Sequence, residues 1–346
     1  LAMMEAQPSG VRVEFTTSSE LIELVVHPTR LGYRGAHRAR GAIDLVVDGQ
    51  YVASDRLTGG DLIEADLQTG QTAFRPGPPH ASRFALPVGE KRVELWLPHN
   101  EAVDLVSLST DAPVSPLTPP GRVWLHHGSS ISHGSNATSP TRIWPAVAAR
   151  LAGVDLHNLG FGGSALVDPF MARVMRDTPA DVISVKLGIN VVNLDLMRLR
   201  AFVPAVHGFL DTMREGHPDT PLLVISPIFC GIHEDTPGPG AVDPETLGTD
   251  HVRFIATGER GDRGRLTLRT IREALASLVE RRSDDEHLFY LDGTSLYGPG
   301  DSDAHPLPDN LHPDTATHQL IGERFARSVF GDGAPFHPGG GRGLGG

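Results

Sequence analysis

The chain of 346 residues has a single cysteine, Cys230. That scarcity excludes an internal disulfide and any metal site built from several thiolates. Its setting, "LLVISPIFCGI", suits a small core side chain. Long apolar runs are also missing, since none approaches the roughly 18 residues a membrane-spanning helix needs. The opening "LAMMEAQPSG" has neither the basic flank nor the apolar centre of a signal peptide. The expectation is a soluble protein without a membrane partner, cytoplasmic or secreted after loss of a leader. Basic residues are in deficit, with 30 Lys and Arg against 42 Asp and Glu and a formal net charge of -12. Nucleic acids and anionic lipids are recognised through positive surfaces, so neither is the expected partner. A small neutral or cationic molecule fits better.

What is present belongs to a packed protein. Hydrophobic residues make up 39% and charged residues 21%, values that support a core and argue against wholesale disorder. The length suggests two domains. From Val11 to about Ser109, short segments such as "VRVEF", "LIELVV", "AIDLVVDGQYVAS" and "RVELWLP" alternate or run apolar over a few residues, with Gly, Pro or Asp between them. These read as strands, and Asp48-Gly49 reads as a tight hairpin turn. The expectation for residues 11–110 is an all-β sandwich of the jelly-roll kind, preceded by a disordered or artificially appended segment at 1–10. "STDAPVSPLTPPG" is rich in proline and small polar residues, so 111–120 reads as a linker. Beyond it, apolar runs alternate with amphipathic helical patterns: "RVWLHH" then "SPTRIWPAVAARLAG", "DVISVKLGI" then "LRAFVPAVHGFLDTMREG". That alternation predicts, for 121–330, an α/β domain in which a parallel sheet lies between two helical layers. Residues 231–265 form an excursion too long for an ordinary connection. The Gly- and Pro-rich 331–346 reads as a flexible tail.

Ligands of such sheets bind at the carboxyl ends of the strands, which directs attention to the loops after each apolar run. Ser130 lies in the first of these, shortly after "RVWLHH". Taken alone, a serine there is commonly a helix cap. To act as a nucleophile it needs a base, and the base needs an orienting carboxylate. In "PDNLHPD", Asp309 and His312 are three apart, so one turn brings both side chains to the same side; the bland alternative is a surface turn. Acyl transfer also needs donors for the developing oxyanion. Gly163 in "FGGS" and Asn190 in "SVKLGIN" are candidates, although both types are also common turn residues.

Together the four blocks resemble the SGNH hydrolases, or GDSL esterase and lipase family: "GSSI" at 128–131, "NLGFGGS" at 158–164, "LGIN" at 187–190 and "DNLH" at 309–312. The resemblance covers 121 to about 330. It implies a three-layer α/β/α, flavodoxin-like fold and ester hydrolysis through an acyl-enzyme, without metal or other cofactor. On it, Ser130, Asp309 and His312 form the catalytic triad, and the Ser130 and Gly163 N–H groups with the Asn190 amide form the oxyanion hole. Two departures stand out. Ser129 replaces the usual acidic residue, and Val191 follows Asn190 where a polar residue is frequent, which points to an altered substrate side. The β domain, with "VELWLPHNEAVDL" at 93–105, also resembles jelly-roll modules of some carbohydrate esterases and directs the substrate expectation toward short-chain acyl esters such as acetylated sugars. Lipase, thioesterase or acyltransferase action on another small-molecule ester, and a glycan-binding protein with a vestigial hydrolase domain, are the alternatives.

Other residues have plainer readings. His126, His127 and His133 flank Ser130 and are placed to line a pocket or bind a metal, but no H-E-x-x-H or paired-cysteine pattern accompanies them. Trp144 reads as a packing residue, and Trp96 as a β-domain core residue or a contact to the second domain. The glycines at 160–163 do not meet G-x-G-x-x-G, and no G-x-S-x-G elbow encloses Ser130.

Overall fold

The computed structural model describes residues 2–34, 38–66, 69–117, 121–246, 249, 252–261 and 264–337. Two five-stranded sheets make the N-terminal half. In the first, Val114–Pro116, Arg12–Thr17, Lys91–Trp96, Ala42–Val47 and Gln50–Arg56 lie side by side in that order, all antiparallel. In the second, the 13-residue strand Leu21–Tyr33 pairs with His80–Ala85, Ala102–Thr110 and, in parallel, Asp61–Ala65. The two-residue side-chain period of a strand explains the packing: Ile22, Leu24 and Val26 are buried at alternate positions and meet Ile43, Leu45, Val93 and Leu95 between the sheets. Asp48 and Gly49 take positive φ values of 49° and 77°, the twist a two-residue hairpin turn demands.

The C-terminal half is a parallel sheet in the order Asp155–Gly160, Val123–Gly128, Val182–Lys186, Leu222–Ile225, Leu288–Leu291. Counted along the chain this is 2-1-3-4-5, the flavodoxin-like order, whose switch point lies beside its first strand. Alternate residues serve opposite faces. Leu125, Ile183, Val185, Leu222 and Val224 pack with residues of Pro169–Asp177, Leu199–Gly216 and Leu268–Glu280. Trp124, Val182, Leu223 and Ile225 pack with residues of Trp144–Ala152 and Thr315–Phe325. The result is the three-layer sandwich expected, preceded by a β-sandwich. Among the described residues, no helix is long and apolar enough to cross a membrane.

The two halves share a core. Ala42–Val47 is buried at all six positions. Its odd-numbered residues face the sandwich interior, whereas Val46 joins Trp96, Trp124, Trp144 and Phe325 in the apolar cluster of the α/β half. On the same side the buried Asp44 carboxylate accepts from Ser139 Oγ at 2.7 Å, Thr141 N at 3.0 Å and Thr141 Oγ1 at 2.6 Å. Arg12 donates to Asp155 at 2.7 Å and lies 4.9 Å over the Trp96 ring.

Three expectations about the connecting segments are corrected. Residues 2–10 are ordered by contact: Ala2–Glu5 is helical, and Ser9 donates to His133 O at 2.6 Å. Val114–Pro116, within the expected linker, completes the first sheet because its backbone pairs with Arg12–Thr17. The tail is packed through His337, where fully buried Phe336 accepts from Arg122; residues 338–346 lie outside the described residues.

Asp44→Ala is expected to leave three donors unsatisfied at the junction and to cost about 2–4 kcal/mol. Urea denaturation checks this, and an unchanged midpoint would show that the junction adds nothing to stability.

Candidate active site

The strand Val123–Gly128 ends at the switch point, and the chain turns at once into the short helix Ser130–His133. Ser129 caps it, its Oγ accepting from Ile131 N at 3.3 Å. The turn lies almost on the next strand, so a Cβ on Gly160 would come within 2.5 Å of His133 N. That close approach explains a glycine at the end of Asp155–Gly160. Ser130 is thereby left half-buried at the head of the sheet.

Its Oγ lies 2.9 Å from Nε2 of His312, and Nδ1 of His312 lies 2.8 Å from Oδ2 of Asp309. The same carboxylate accepts from the backbone N–H groups of His312 at 2.6 Å and Leu311 at 2.9 Å, and from Asn136 Nδ2 at 3.0 Å. Burial alone would raise the Asp309 pKa. The hydrogen bonds and charge of His312, with the two backbone donors, outweigh it and hold the carboxyl below its usual range. An ionised acid on Nδ1 leaves Nε2 as the acceptor facing Ser130.

Gly163 and Asn190 follow the strands on either side. Asn190 is buried, and its Oδ1 accepts from Ala165 N at 3.0 Å. This bond joins the two loops across the head of the Ser130 strand and fixes the amide with Nδ2 free to donate elsewhere. Gly188, two residues earlier, has φ of 121°, and a Cβ there would lie 2.5 Å from Ile271 Cγ2. A side chain at this point would therefore displace the Asn190 turn.

Other expected site residues are placed differently. His126 is buried between Trp124 and Trp144, with Ser184 Oγ at 2.7 Å from Nδ1 and Ser132 Oγ at 2.8 Å from Nε2. His127 donates from Nδ1 to Leu159 O, and His133 from Nδ1 to Gly160 O, both at 2.8 Å. These buried rings tie neighbouring elements together beneath the Ser130 turn. Among the described residues, no group of three or more His, Cys, Asp or Glu is arranged to hold a metal ion. Val191 points into the core and is fully buried, so it does not reshape the substrate side. The Cys230 thiol, pushed up to about 12 by burial, donates to Asn310 O at 3.2 Å. Two neighbours of the site carried no sequence signal: Asn136, in the turn after Ser130, and Phe254, in the hairpin Gly240–Val242 with Phe254–Ala256, whose ring lies 5.7 Å from that of His312.

The class these features define is an ester hydrolase on an SGNH-type α/β fold. Residues 127–320, more than half of the chain, match the model of the GDSL-like lipase/acylhydrolase family, and the protein belongs to that family. A salicylyl-acyltransferase from a tetracycline biosynthetic pathway is similar in structure, with a TM-score of 0.74, 26% identity, and coverage of 92% of this chain and 81% of its own. A GDSL-like lipase candidate from Bacteroides ovatus shares the fold at a TM-score of 0.68 and 20% identity, covering 94% and 85%. A family two carbohydrate esterase from Clostridium thermocellum, solved with cellohexaose, shares it at 0.59 and 16%, covering 92% and 91%. No curated protein matches the chain.

The buried histidines make stability depend on pH. Burial, helped by the nearby His133 and His318, pushes His99 down to about 3, and burial pushes His318 down to about 4. His126, His127, His133 and His233 are lowered for the same first reason. The unfolded chain takes up these protons near pH 6.5 while the native chain excludes them, so stability is lost as pH falls below that value. The expected loss is about 1.4 kcal/mol per pH unit for each excluded proton. Urea midpoints at pH 7 and pH 5 measure it; equal midpoints would show that the native protein protonates these rings freely.

Proposed function

We propose that the protein hydrolyses short-chain carboxylic esters of small molecules, acetylated sugars among them, through a Ser130 acyl-enzyme. The observation that carries this reading is the unbroken relay from Ser130 Oγ through His312 to Asp309, with distances of 2.9 Å and 2.8 Å. Ser130 Oγ attacks the carbonyl carbon as its proton passes to His312 Nε2, and Asp309 stabilises the imidazolium. The carbonyl electron pair moves onto oxygen, where the Ser130 and Gly163 N–H groups and Asn190 Nδ2 receive it. When the tetrahedral species collapses, the bond to the alcohol oxygen breaks and Nε2 returns the proton to that oxygen. Water then attacks the acyl carbon, again giving its proton to Nε2, and Ser130 leaves with that proton as the carboxylic acid is released. No cofactor takes part in these steps. The preference for sugar acetates is supported by the β-sandwich and by the carbohydrate esterases that share the two-part fold.

Acyl transfer to an alcohol is a second reading, favoured by the similarity to an acyltransferase. It uses the same residues and differs only in which hydroxyl attacks the acyl-enzyme. Products formed with competing alcohols in water separate the two.

Ser130→Ala is expected to abolish turnover of acetyl esters while leaving the fold intact by circular dichroism. Full activity in a folded variant would overturn the mechanism. Asn190→Ala removes one oxyanion donor, and the expected fall in kcat is about 10²- to 10³-fold. A change confined to KM would place Asn190 outside the oxyanion hole.

A further inference from the structure

We infer that Phe254 is the wall of the leaving-group site and selects alcohols that present a flat ring face, a sugar ring or an aromatic ring, beside His312. The inference rests on the ester-hydrolase reading above and concerns the alcohol half of its substrate. Both ring nitrogens of His312 are committed, Nδ1 to Asp309 and Nε2 to Ser130. Since Nε2 must hand its proton to the departing oxygen, that oxygen comes within hydrogen-bond reach of it. The rest of the alcohol must then occupy the space alongside the imidazole. Phe254 is an aromatic neighbour of that imidazole, its ring nearly perpendicular to that of His312 at 75° and 5.7 Å between centroids. It is half-buried, part of the residue remaining open to solvent.

The hairpin bearing Phe254 is fastened to the same loop. Phe254 N donates to Asp309 O at 2.8 Å, and Asn310 Nδ2 donates to Phe254 O at 3.2 Å. From below, Cys230 Sγ holds Asn310 O. At its base, Thr257 N donates to Pro239 O at 2.9 Å, and Arg265 donates to Gly238 O at 3.2 Å. These bonds hold the Phe254 backbone against the loop that carries the base, and its side chain packs against the α/β core. A fixed, partly open aromatic face attracts the C–H face of a sugar or another aromatic ring, and gains little from a methyl or ethyl group. Phe161, in the loop that bears Gly163, packs against Phe170, whereas Phe254 is the ring beside His312, so the selectivity falls on the alcohol and not on the acyl group.

The test uses the full chain and three acetates with a common acyl group: methyl acetate, an acetylated methyl pyranoside and phenyl acetate. Comparing each variant with wild type on the same ester removes differences in intrinsic reactivity. In Phe254→Ala, the ratio of kcat/KM for each ring ester to that for methyl acetate is expected to fall about three- to tenfold. Phe254→Tyr, which keeps the flat face, is expected to restore the ratio. Loss for only one ring ester identifies which ring the site takes and supports the inference. If every ester falls by the same factor, or none falls, Phe254 merely supports the loop and the inference is overturned. Phe254→Leu serves the same comparison if the alanine variant does not fold. Absence of wild-type turnover on all three esters, or undiminished turnover by Ser130→Ala, would instead refute the hydrolase reading.

Discussion

A hydroxyl and an imidazole 182 residues apart in the chain stand 2.9 Å from each other, and most of the structure can be understood as the means of keeping them there. A serine at its ordinary pKa attacks nothing until a base is held in line with it. The parallel sheet provides that constraint, because its strands all end at one edge and each delivers one loop to the same place. Ser130 comes from the strand at the switch point, Gly163 and Asn190 from its neighbours, and Asp309 and His312 from beyond the last strand. The hydrogen bond from Ala165 N to Asn190 Oδ1 and the pairing of Phe254 with Asp309 and Asn310 then cross-link these loops directly.

The β half bears on the same constraint from below. Buried Asp44 grips the segment just after the Ser130 turn, through Ser139 and Thr141. Ser9 holds His133 O, and His318 reaches Ser135 O at 3.0 Å. The Ser130 turn is half-exposed on one side, so its backbone must be satisfied from the other. Neutral buried histidines can suit this need: in His318, Nδ1 accepts from Trp144 N while Nε2 donates to Ser135 O. Their cost is sensitivity to acid, since each excludes a proton the unfolded chain would bind.

Much of this was legible as pattern. The two-residue period of "LIELVV" and the alternation of strands with helical stretches after residue 121 report directly which faces are buried, and the sheets follow that arrangement. The ordered blocks around Ser130, Gly163, Asn190 and His312 were readable because each is a short turn with local requirements. Less was legible where a contact is distant. Residues 2–10 and 331–337 look flexible by composition, yet they are packed by partners over a hundred positions away. His126 and His127, beside the serine, looked like pocket residues; strand geometry turns them inward. Phe254 sits in a Gly- and Pro-rich excursion with no local sign that it meets His312.

Local chemistry along the chain was thus enough to specify strands, helices, the hairpin at Asp48-Gly49 and the residue types an acyl transfer requires. These properties depend on neighbours a few positions apart, through side-chain period, backbone φ and turn formation. Which histidine faces Ser130, which loops are joined to one another and which ring stands beside His312 were decided only by tertiary structure. Those choices depend on strand order and on hydrogen bonds between loops remote in sequence, and no local pattern encodes a distance of 2.9 Å across 182 residues.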